Sequence, residues 1–62
     1  MNNVVKILMN RDGMSINDAR ALVEETREEI NDVLSNGGGY DEIEDIMIGN
    51  LGLEMDYIFD LI

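Results

Sequence analysis

The chain has 62 residues, no cysteine, no histidine, no proline and a formal net charge of −10 at pH 7, so it is one small domain, 1–62, with no disulfide to staple it. Lack of Cys and His also removes the thiolate nucleophile, the commonest transition-metal ligand and the commonest general base. Apolar residues make up 45% of the chain, too many for a disordered segment, yet no apolar run approaches the roughly 18 residues of a membrane helix.

Apolar residues recur at helical spacing from end to end. Val4, Val5, Ile7 and Leu8 form a short first stripe that ends near Arg11-Asp12-Gly13. Gly13 suits the left-handed residue that closes a helix. Ser15 reads as the N-cap of the next helix, with Asp18 three residues on as a weak capping box. The stripe then runs Ile16, Ala19, Leu22, Val23, Thr26, Ile30, Val33 and Leu34, which predicts a long central helix over roughly Ile16 to Leu34. Its polar face carries Arg20, Glu24 and Arg27 at spacings that favour surface pairs.

Asn36-Gly37-Gly38-Gly39 breaks the pattern and predicts a turn. A third helix follows, capped by Asp41, with Glu42 and Glu44 in its first turn and Ile43, Ile46, Met47 and Leu51 on its apolar face. Ile48 falls off that face, Gly49 weakens the helix and Gly52 closes it. The tail reads as a last short helix capped by Glu54. Leu53, Tyr57, Ile58 and Leu61 cover the bundle, which leaves Phe59 and Ile62 without a neighbour. No alternating strand pattern competes, so the fold class is all-α, a small bundle of three to four helices around the long central one.

The charge is segregated. Residues 1–27 hold Lys6, Arg11, Arg20 and Arg27 against Asp12, Asp18, Glu24 and Glu25, which sum to zero (4 − 4). Residues 28–62 hold Glu28, Glu29, Asp32, Asp41, Glu42, Glu44, Asp45, Glu54, Asp56 and Asp60 with no base, which accounts for the whole −10. Such a surface repels nucleic acid and anionic membrane and attracts basic protein surfaces.

Three chemistries fail on these residues. A phosphate loop needs a Lys and a hydroxyl at the helix start, whereas Tyr40-Asp41-Glu42 follows the glycines. An EF-hand loop needs oxygen ligands at its odd early positions and Gly at its sixth. Counting from Asp41, Ile43 stands third and Ile46 sixth. Paired carboxylates that run acid–base chemistry need a cleft, and an aliphatic bundle of this size has little room for one. The expectation is therefore no enzyme, no cofactor and no metal. Two readings remain. In the first, Glu28, Glu29, Asp32, Asp41, Glu42 and Asp45 form a face that docks on a basic protein surface. In the second, the acidic surface serves solubility only, and Phe59, Ile62 and Ile48 mediate self-association as a homodimer. The start of the chain lacks the basic and long apolar stretches of a signal peptide, so the expected location is cytoplasmic.

Arg11-Asp12-Gly13-Met14-Ser15, Asp18-Ala19-Arg20, Leu22-Val23-Glu24-Glu25-Thr26-Arg27-Glu28-Glu29-Ile30, Asp41, Glu44-Asp45-Ile46 and Leu51 to Leu61 together resemble a group of short acidic proteins encoded by phages and prophages of Gram-positive bacteria. In that group Pro often stands where this chain has Met55; Pro fits the first position of a helix, which supports Glu54 as its cap. The resemblance implies a phage setting and a bacterial partner, without assigning site residues. Small acidic phage proteins often block host or defence proteins, an analogy of class alone.

Overall fold

A computed structural model describes residues 2–61. Its first helix, α1, spans Asn3–Asp12. The Asn2 side chain caps it by accepting from the Val4 amide at 2.7 Å, and Gly13 closes it with φ +68°. Ser15 caps α2, Ile16–Ser35, its hydroxyl accepting from the Asp18 amide at 3.1 Å. Helix α3 spans Tyr40–Ile46 and runs directly into a π-helical turn over Met47–Leu51. A 3₁₀ helix, Met55–Asp60, ends the described chain. Every element is helical, so the all-α bundle expected from periodicity is the fold. No helix among the described residues is long and apolar enough to cross a membrane.

Helix α2 is the spine. Its twenty residues rise about 30 Å and set the long dimension of a body measuring 34 × 18 × 17 Å. Helix α1 lies along the N-terminal part of α2, its start beside Val23, Glu24 and Arg27. Helix α3 returns along the other end. The core between them is aliphatic: Val4, Val5, Leu8, Ala19, Val23, Ile30, Ile43, Met47, Leu51, Leu53 and Leu61 are buried. Thr26 is the buried polar residue, and its hydroxyl donates to the Leu22 carbonyl at 2.8 Å.

The glycine turn is a Schellman closure. Gly37 is left-handed at φ +77°, its amide donating to the Leu34 carbonyl, while the Gly38 amide reaches the Val33 carbonyl at 2.7 Å. The turn is therefore tight, and α3 starts beside the end of α2.

Several expectations need correction. Leu34 is 51% exposed rather than in the core, because α1 ends far short of it and α3 packs on the Val33 side. Leu22 is only half-buried. Helix α3 begins one residue before Asp41, with Gly39 as a cap that offers no side chain, so Asp41 and Glu42 occupy the first turn and Glu44 lies beyond it. Gly49 sits in a π turn, where the wider repeat matters. At 3.6 residues per turn a spacing of four drifts by about 40° per step. The wide turn counters that drift and keeps Ile43, Met47 and Leu51 all facing inward. The tail is 3₁₀ rather than α; Glu54 stands at its cap position but makes no side-chain capping bond.

Candidate functional site

The acidic end is made by two helices meeting at the glycine turn. Glu28, Glu29 and Asp32 project from the second half of α2, and Asp41, Glu42 and Asp45 from α3; all six are exposed. Glu28 and Asp32, like Asp41 and Asp45, are four apart, so each pair lies on one helix face about 6 Å apart along the axis. Adding the half-buried Glu44 gives seven carboxylates between residues 28 and 45, with no base in that span. Asp41 and Glu42 suit the N-terminal dipole of α3, whereas Asp32, in the last turn of α2, opposes the C-terminal dipole there.

Glu29 differs from its neighbours. It accepts a hydrogen bond from Asn50 Nδ2 at 2.6 Å, and Asn50 also reaches the Thr26 hydroxyl at 3.3 Å. The π turn thus places an amide that ties α3 to α2 through one of these carboxylates. No sequence signal marks Asn50, because the pair spans 21 residues.

Two of the four bases, Arg11 and Arg27, are engaged elsewhere. Among the described residues there are two ion pairs, Arg11–Asp12 at 2.8 Å and Arg27–Glu24 at 2.9 Å, both outside the acidic end. Arg11 also donates to the carbonyls of Leu51 at 2.5 Å and Gly52 at 3.3 Å. Arg27 Nε donates to the Leu61 carbonyl, and Asn2 Nδ2 to the Asp60 carbonyl. These side chains close the exposed carbonyl ends of the π turn and the tail, where a cation is favoured.

Hydrogen bonds from Arg11 hold the Asp12 carboxyl below the usual carboxylate range, with some desolvation opposing them. A depressed acid stabilises the fold above its unfolded value and stops doing so as pH falls through its folded one. Asp12→Asn is therefore expected to leave stability less sensitive to acid below the ordinary carboxylate range, measured by melting across a pH series.

The self-association residues are divided. Phe59 is 82% and Ile48 56% exposed; Ile62 lies outside the described residues. An open groove of about 570 Å³ is lined by Asn3, Lys6, Ile7, Asn10, Arg11 and Tyr57. Among the described residues no group of three Asp or Glu side chains is placed to hold a metal ion.

Crowding seven like charges has a measurable consequence. Raising salt from about 0.01 M to about 0.1 M shortens the screening length from about 30 Å to about 10 Å. The melting temperature at neutral pH is expected to rise over that range. Asp32→Asn, which relieves both the repulsion and the dipole, should stabilise by about 0.3–1 kcal/mol at low salt and flatten the salt dependence. A melting temperature indifferent to salt would mean the carboxylates do not strain the fold.

Comparison with protein-family models, curated proteins and solved structures finds no match to this chain.

Proposed function

We propose that this chain is a small acidic protein-binding module that docks on, and occludes, a basic surface of a bacterial protein. The observation that carries this reading is the uncompensated acidic end: exposed Glu28, Asp32, Asp41, Glu42 and Asp45, on two adjoining helices, with no base between residues 28 and 45. Charge of one sign steers encounter with a surface of the other sign and disfavours wrong partners. The setting proposed is the cytoplasm of a bacterium carrying the phage or prophage that the sequence resemblance implies. No catalytic step, cofactor, nucleic acid or membrane enters the proposal.

A second reading is a structural homodimer whose acidic surface only solvates it. The exposure of Phe59 and Ile48 favours that reading. Salt separates the two. A partner captured from bacterial lysate by the acidic end is expected to elute near 1 M salt, where the screening length is about 3 Å. Glu28→Gln combined with Asp32→Asn and Asp45→Asn should prevent its capture. Apolar self-association survives the same salt and appears as a dimer in sedimentation. Capture insensitive to both salt and these substitutions would refute the acidic-face reading.

A further inference from the structure

The tail holds an aromatic side chain that no other described residue covers. In a 3₁₀ helix, side chains three apart eclipse one another, and over Met55–Asp60 exposure follows that repeat. Met55 and Ile58 pack against the core and Leu61 is buried. Tyr57 and Asp60 are half-buried, while Asp56 and Phe59 are exposed. An anion and the chain's single phenylalanine therefore share one outward row, about 6 Å apart along the axis. Phe59, at 82%, is the most exposed of the large hydrophobic side chains among the described residues.

This row is anchored at both ends. Leu53 and Leu61 are buried on either side of it. Asn2 and Arg27 hold the carbonyls of Asp60 and Leu61. The backbone beneath Phe59 is thus preset, which lowers the ordering cost of a contact made there.

We propose that the Asp56–Phe59 row is a second docking element, which seats Phe59 in an apolar pocket rimmed by Lys or Arg on the partner protein. This rests on the reading that the partner's surface is basic. Charge selects the occupant. A two-fold contact of two copies centred on Phe59 would bring both Asp56 carboxylates into one interface, between chains of −10 each. A pocket with a basic rim pairs Asp56 instead and buries the ring, the arrangement of an apolar interface core with a polar margin.

The test places a photoreactive phenylalanine analogue at position 59 of the intact chain and irradiates it in bacterial lysate. The expected cross-link is to apolar residues flanked by Lys or Arg on a bacterial protein. With that protein purified, Phe59→Ser should weaken binding by about thirtyfold without changing its salt dependence. Asp56→Asn should weaken it less and make the salt dependence shallower. Circular dichroism checks that the helices persist in both variants. Cross-linking only to a second copy of the chain, or to no protein, overturns the proposal. So does a Phe59→Ser variant that binds as tightly as the wild type. If the carboxylate variants abolish capture and Phe59→Ser does not, this proposal falls and the acidic-face reading stands. The reverse pattern separates them the other way.

Discussion

Ile30→Ala is expected to remove about 2–5 kcal/mol of stability, the usual cost of truncating a large aliphatic side chain in a packed core. Ile30 is fully buried on α2, in the same core cluster as Ile43 and Met47. A domain of this size has roughly 3–9 kcal/mol in total at about 0.05–0.15 kcal/mol per residue, so the variant sits near the edge of unfolding. The matched control is Leu34→Ala. Periodicity places Leu34 on the same stripe one turn later, but its side chain is 51% exposed, and a surface change of this kind is expected within about 0.5 kcal/mol of wild type. Urea unfolding of both variants, followed by circular dichroism, gives the comparison. Equal losses at the two positions would mean that the end of α2 is covered by something this structure lacks. Leu22, half-buried, should fall between the two.

Gly38→Ala carries the second large effect, and its neighbours make it specific. A Cβ at Gly38 would lie 2.3 Å from Val33 Cγ1, 2.6 Å from Glu42 Oε2 and 2.9 Å from the Val33 carbonyl oxygen. The Glu42 carboxylate can swing away. The Val33 carbonyl cannot, since it accepts the Gly38 amide that closes the turn. Overpacking of this kind costs about 1–3 kcal/mol. One residue on, a Cβ at Gly39 meets nothing within 4 Å, and its extended backbone, φ −115° and ψ −172°, admits any residue. Gly39→Ser should stabilise by about 0.4–1 kcal/mol, by narrowing the unfolded ensemble and supplying α3 with the side-chain cap it lacks. Two adjacent glycines are thus expected to shift the melting temperature in opposite directions. The result bears on function, because this turn sets α3 beside the end of α2 and so fixes where the carboxylates of the two helices stand. If Gly38→Ala melts like the wild type, the turn opens freely and does not fix α3 against the end of α2.

Much of the fold was written locally. Ser15 caps α2, Gly13 and Gly52 close their helices with positive φ, and the Ala19–Val23–Thr26–Ile30 stripe is buried throughout. The acidic end was equally legible, because no base follows Arg27 and a helix face with nothing to pair is exposed by default. These signals act within a turn or two of the chain, through capping hydrogen bonds, backbone sterics and the 3.6-residue repeat. The choice between Ile30 and Leu34 was not among them. Both satisfy the repeat, and only the short reach of α1 and the side on which α3 docks decide which one is covered. Nor were the bonds that hold the tail and the π turn: Asn2 to Asp60, Arg11 to Leu51 and Arg27 to Leu61 join residues 34 to 58 apart. A carbonyl left open at a helix end takes whichever donor packing brings to it. The sequence by itself thus determined where α2 starts, where α1 and the π turn close, and where the charge collects. Tertiary packing decided which residues at the edge of those stripes are covered, and that Arg11 and Arg27 close chain ends rather than neutralise the acidic end.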